Sequence, residues 1–224
     1  MNPLFDYYEA LHHVTSHDVR GHGLSDKPAT WTLEDDVEDL RALIEALELN
    51  KPVIVGFSMG SYITLATAEK YPELFSRAVL IGTKGGGSSS TQAIAESGGP
   101  DRQSAVMHNV FAPQDTPEQI AAFAKSIASP VQLTKAQHAA IYKSLADFDN
   151  LKNADKVKVP VLCLTGQYDG VNPPAKGKTV AAALPHGIFY EVPRAGHITF
   201  FENFDYTVEC VDRFLEQNSG TPEG

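Results

Sequence analysis

Three residues of this chain combine the types and positions that nucleophilic chemistry needs: Ser58, Asp169 and His197. Ser58 lies in Gly-Phe-Ser-Met-Gly, after the apolar run 52–57 and before helix formers that begin at Met59. A serine hydroxyl is a weak nucleophile until a base removes its proton. A sharp strand-to-helix turn would hold it in a strained conformation, projecting above the strand ends. Small neighbours at Gly56 and Gly60 would let strand and helix pass closely. The Met59 N–H, first in that helix, would then point to where an oxyanion forms.

Such a serine requires an acid and then a histidine further along the chain. Among eight histidines, His197 in "RAGHITFFEN" follows the last apolar run and precedes the last helical pattern, where a base belongs. His108 and His138 fall in helical patterns and are expected on the surface. His12, His13 and His17 have no acidic or cysteine partner at ligand spacing and read as structural. Asp169 follows the apolar run "VPVLCLTG", placed to accept an imidazole N–H and fix its tautomer. Asp147 and Asp149 are rival acids, but they follow no core strand. "DVRGHGLSDKP" (18–28) reads as a tight turn around Arg20, Gly21 and Gly23, with Asp18 pairing locally. Ser25 has no comparable turn around it. "KGGGSSS" lacks the Gly-Lys-Ser/Thr ending of a phosphate loop.

The elements that must position these residues alternate. Residues 52–57, 77–83 and 159–166 are apolar on both faces, as parallel strands covered by helices are. Residues 187–193 read as a strand near a sheet edge, and 13–21 as another short strand. Helices are expected over 33–48, 59–70, 173–184 and 206–217. The first follows Thr32 and should turn Val37, Leu40, Ile44 and Leu47 to one side. The second should group Tyr62, Ile63 and Ala66. This alternation predicts an α/β fold with a mostly parallel sheet flanked by helices. It stops between 84 and 155. There "KGGGSSS" (84–90) reads as a hinge, and helices over 116–127 and 134–148 each open with a Thr-x-x-Gln capping box. The expected organisation is a core of 1–83 and 156–224 interrupted by a helical cap, 84–155.

Composition narrows the function. A net charge of -10, with no basic cluster, excludes a nucleic-acid partner. No apolar run reaches membrane-spanning length, and 1–13 lacks the pattern of an export signal. Cys163 and Cys210 sit in apolar patterns and read as buried free thiols, so a cytoplasmic location is expected. Oligomeric state is not legible.

With "DVRGHGLSDKP", "GFSMG", "LTGQYD" and "AGHITFFE" in this order, the chain resembles the α/β-hydrolase superfamily. Its nearest likeness is to small bacterial esterases and enol-lactonases, over about residues 5 to 217. The resemblance implies a Ser58–His197–Asp169 triad, Met59 as an oxyanion-hole donor, a small ester or lactone substrate, and no metal or organic cofactor. It equally admits a catalytically impaired ligand-binding homologue or a cofactor-free perhydrolase or haloperoxidase-like enzyme. Members of the family begin with several strands and a His-Gly loop that supplies a second oxyanion donor. Only 17 residues precede Asp18 here, without that loop, and "PLFDYYEAL" matches the helix after it. The expectation is an N-terminally shortened hydrolase, with a gap or a re-paired sheet between 13–21 and 52–57.

Overall fold

Four apolar runs become strands β1 (Val53–Phe57), β2 (Arg77–Ile81), β3 (Val161–Gly166) and β4 (Gly187–Val192), all parallel in the order β1-β2-β3-β4. The structure, a computed structural model, describes residues 3–87, 108–126, 131, 133–146 and 148–217. Helices α1 (Pro3–Glu9) and α2 (Leu33–Ala46) precede β1, and α3 (Met59–Lys70) joins β1 to β2. Between β2 and β3 lie α4 (Pro117–Ser126) and α5 (Lys135–Ser144). Helix α6 (Pro174–Ala183) joins β3 to β4, and α7 (Thr199–Glu202) and α8 (Phe204–Gln217) end the described chain.

The two-residue period of the strands divides the core into two layers. Val79, Ile81, Leu162 and Leu164 pack with Leu4 and Tyr8 of α1, Phe200 of α7, and Val208, Val211 and Phe214 of α8. Ala78, Leu80, Val161 and Cys163 pack with Leu40 and Ile44 of α2, Ile63 and Leu65 of α3, and Val180 and Ala181 of α6. Burial of each Leu or Val contributes about 1.5–3 kcal/mol. Both cysteines are buried free thiols. The helix starts follow their local chemistry. Thr32 caps α2 in a capping box with Asp35, and Thr134 caps α5 with Gln137. Thr116 and Gln119 exchange the same pair of bonds at α4. Leu47, expected on the buried side of α2, instead forms its C-cap and is exposed. Part of the hinge, 88–90, lies outside the described residues.

One expected strand is absent. Residues 13–19 adopt no strand, and among the described residues β1 pairs only with β2. A cavity of about 500 Å³ separates residues 15–20 from β1, so the chain there meets no neighbour with which to form a ladder. The gap leaves β1 at a sheet edge, with Val55 46% exposed. Arg20 instead reaches α2, and Asp18 bonds locally. The Arg20 guanidinium grips Asp39 of α2 at 2.6 and 2.8 Å, and Asp18 Oδ2 accepts the Leu24 N–H at 2.8 Å.

Candidate active site

Each strand of the sheet delivers one polar residue just beyond its C-terminal end, the side on which open α/β sheets take ligands. From β1 comes Ser58, whose backbone has φ 49° and ψ -116°. A non-glycine residue there stores on the order of 1–3 kcal/mol of strain, which the surrounding bonds must hold. Ser58 N–H donates to Ile81 O at 2.9 Å, tying the turn to β2, and Ser58 O accepts from Ser61 N–H at 2.9 Å and Ser61 Oγ at 2.6 Å. Gly56 is needed here, because a Cβ would sit 2.4 Å from Gly60 O and 2.7 Å from Thr64 Oγ1. Gly60 itself is not under that constraint: a Cβ on it would meet nothing within 4 Å, since it faces the cavity beside β1. Met59 opens α3, and the first four N–H groups of a helix have no partner within it.

Asp169 follows β3 and is buried. Its Oδ1 accepts the N–H groups of Val171 and Asn172 at 2.9 and 2.8 Å, and its Oδ2 lies 2.8 Å from His197 Nδ1. His197 follows β4, buried at 6% exposure, with its ring 4.9 Å from that of Phe57. Its N–H donates to Val110 O at 2.6 Å. Gly82, at the end of β2 with φ +61°, makes room for the ring. A Cβ there would stand 2.8 Å from His197 Cε1 and 2.9 Å from Nδ1. Ser58 and His197 line one cavity of about 340 Å³, together with Met59 and residues of the 84–155 segment such as Leu133, Ile141 and Phe148. That volume suits a small molecule.

The rival acids are placed elsewhere. Asp149 is exposed and accepts the Leu151 N–H, while Asp147 lies outside the described residues. Ser25 Oγ donates to Asp18 O in the turn after residue 20. His138, expected on the surface, is exposed but also lines the cavity, as does His22. Among the described residues no group of three or more His, Cys, Asp or Glu side chains is placed to hold a metal ion. None of their helices is long and apolar enough to cross a membrane.

Four residues around this centre escaped sequence reasoning. Burial pushes the Tyr62 phenol up to about 12, while hydrogen bonds from Asn172 and Ser58 pull the other way. Asn172 Nδ2 donates to Tyr62 Oη and to Gly82 O, both at 2.6 Å. Glu202 accepts three backbone N–H groups, from Ala112, Gly196 and Ile198, at 2.7–3.0 Å, and so clamps the loop that carries His197. Burial, with a hydrogen bond to Asp115, pushes its carboxyl up to about 7. Lys84, beyond the end of β2, is buried in the cavity wall. Only Glu202 left a sequence signal: it stands five residues after His197, on the short helix that turns back beneath it.

Known proteins share this fold. Residues 6–100 match the family model described as the alpha/beta hydrolase fold. The "Putative non-heme bromoperoxidase BpoC" of Mycobacterium tuberculosis is 30% identical over 200 residues, 83% of this chain and 76% of that protein. Its crystal structure superposes with a TM-score of 0.75, over 90% of this chain and 80% of the other. The 3-oxoadipate enol-lactonase 2 of Acinetobacter baylyi is 26% identical, over 92% of this chain and 80% of that one. The enol-lactonase of Burkholderia xenovorans is 24% identical and has a TM-score of 0.82, over 96% of this chain and 85% of the other, a likeness of fold. Fold and relatives agree, and the chain belongs to the α/β-hydrolase superfamily.

Proposed function

We propose that this protein is a serine hydrolase that cleaves a small carboxylic ester or lactone through an acyl-enzyme. The observation that carries the reading is the 2.8 Å contact between Asp169 Oδ2 and His197 Nδ1, with His197 and the strained Ser58 lining one cavity. In this mechanism Ser58 Oγ attacks the carbonyl carbon while the other imidazole nitrogen, Nε2, takes its proton. Asp169, already saturated on Oδ1 by two N–H groups, holds Nδ1–H and stabilises the imidazolium. The Met59 N–H receives the developing oxyanion. His197 then returns the proton to the leaving oxygen, and water, activated by the same imidazole, releases the acid. Residues of the 84–155 segment cover the pocket as a cap.

The names of the enol-lactonase relatives support an ester-like substrate. The name of the mycobacterial relative favours one second reading, in which hydrogen peroxide replaces water as the acyl acceptor and yields a peracid. A 4-nitrophenyl acetate assay tests the first reading. The reading requires a burst of one 4-nitrophenolate per chain, absent from Ser58→Ala; equal turnover by that variant would overturn it. Adding peroxide and bromide to the same assay separates the second reading, because only perhydrolysis produces bromide oxidation dependent on both acyl donor and Ser58.

A further inference from the structure

Charge inside the cavity runs against the charge of the whole protein. The chain carries a net charge of -10, yet among the described residues no Asp or Glu lines the cavity around Ser58. Its ionisable lining is Lys84, His22, His138, His197 and the phenols Tyr62 and Tyr142. Asp169 stands behind His197, with both oxygens engaged.

Lys84 is the group that decides. It is 5% exposed, and lysine is almost never so buried without a partner. Its Nζ lies 5.5 Å from the Tyr62 ring and 5.6 Å from the Phe148 ring, two rings stacked 4.8 Å apart. It donates to Gly87 O, its one hydrogen bond among the described residues, although an ammonium carries three donors. Among the described residues no carboxylate faces it, and the other cation that it feels, Lys176, adds repulsion. A buried ammonium on a cavity wall, balanced by ring faces and one carbonyl, is completed by an anionic ligand group.

We propose that the substrate carries a carboxylate remote from the bond that is cut, and that Lys84 Nζ binds it. This rests on the hydrolase reading of the same cavity. The acyl chain then runs from Ser58 at the end of β1 toward Lys84 at the end of β2, so a short dicarboxylic half-ester or a carboxylate-bearing lactone fits. Lys84 would be a specificity residue, separate from the proton transfers. A role limited to anchoring the turn 84–87 would leave charge selectivity untouched.

Mono(4-nitrophenyl) glutarate and the 4-nitrophenyl ester of glutaramic acid differ only in charge at the far end. The expected kcat/KM ratio favours the anionic ester by roughly ten- to a hundredfold in the wild type, the worth of one charge-assisted hydrogen bond. Lys84→Met should bring the ratio to about one or below, and Lys84→Arg should restore most of it. A ratio near one in the wild type, or unchanged in Lys84→Met, overturns the proposal. Calorimetric binding of monomethyl glutarate to Ser58→Ala, with and without Lys84→Met, separates the two ideas. Binding lost with Lys84 supports the anion site even if the wild type hydrolyses neither ester. Hydrolysis of both esters alike, with no binding difference, removes the anion site and leaves the hydrolase standing.

Discussion

Replacing Asp169 by Asn should lower kcat far more than the loss of one charge suggests, because the surroundings dictate how the amide sits. Val171 and Asn172 N–H groups point at Oδ1 from 2.9 and 2.8 Å, and His197 Nδ1 lies 2.8 Å from Oδ2. With the amide oxygen in the Oδ1 position, both N–H groups stay satisfied and the NH₂ faces the imidazole. The reverse orientation satisfies His197 but sets the NH₂ against two donors, leaving two buried N–H groups unpaired at about 1–3 kcal/mol each. The first orientation therefore wins by a factor of ten or more. It makes Nδ1 an acceptor, forces the proton onto Nε2, and removes the base that Ser58 requires. The expected loss in kcat is about 10⁴, or roughly 5.5 kcal/mol in the barrier, as in the serine-protease case from which the figure is taken. Stopped-flow hydrolysis of a 4-nitrophenyl ester measures the loss. Nitrogen-15 shifts of His197 report the tautomer, and urea unfolding confirms that the variant is folded. A kcat within tenfold of the wild type, with Nδ1 still protonated, would refute the reasoning.

Three further outcomes follow from the same contacts. Gly82→Ala should cut kcat about a hundredfold with KM little changed, since its Cβ would stand 2.8 Å from the His197 ring and push it off Asp169; a wild-type kcat would show that the ring has room to spare. Glu202→Ala strips the acceptor from the Gly196 and Ile198 N–H groups, leaving Ala112 N–H its second acceptor, Asp115 Oδ2 at 3.1 Å, and should cost about 2–3 kcal/mol in urea unfolding and about tenfold in kcat, with Glu202→Gln intermediate because its amide can accept only on one atom. Asp36 of α2, buried beside the empty edge of β1, has its carboxyl pushed up to about 7 mainly by burial, with Trp31 Nε1 donating to Oδ2 at 3.2 Å. A raised carboxyl favours the fold when protonated, so this stability is present below about pH 4 and lost as pH rises toward 7. Asp36→Asn should thus gain on the wild type between pH 4 and pH 8, by at most about 4 kcal/mol, in paired urea titrations. Parallel pH curves for the two proteins would contradict this assignment.

What the sequence reveals about this fold depends on how locally each feature is determined. The strands are legible because β2 and β3 are buried on both faces and read as unbroken apolar runs. The turn at Ser58 is legible because strand, glycine, serine and helix are contiguous. The loops carrying Asp169 and His197 are marked by the strands they follow, and their meeting needs only that β3 and β4 be neighbours. Residues 13–19 mislead because a strand exists only with a partner, and here the partner's place is a cavity. Gly60 misleads for the same reason, since the space it would have spared is already empty. Lys84, Tyr62 and Asn172 are silent in sequence. Asn172 is 110 residues from Tyr62 and 90 from Gly82, and only the folded sheet brings them to one rim.

The central claim is that Ser58 is the nucleophile, activated by His197. Diethyl 4-nitrophenyl phosphate tests it directly, since attack by an activated serine displaces one 4-nitrophenolate and leaves a diethylphosphoryl group on its oxygen. One equivalent of 4-nitrophenolate per chain is expected, with the added mass on the peptide containing Ser58. Ser58→Ala should take up none, and His197→Ala should react at least a hundredfold more slowly. An unlabelled wild type, or a label on any other residue, would contradict the account.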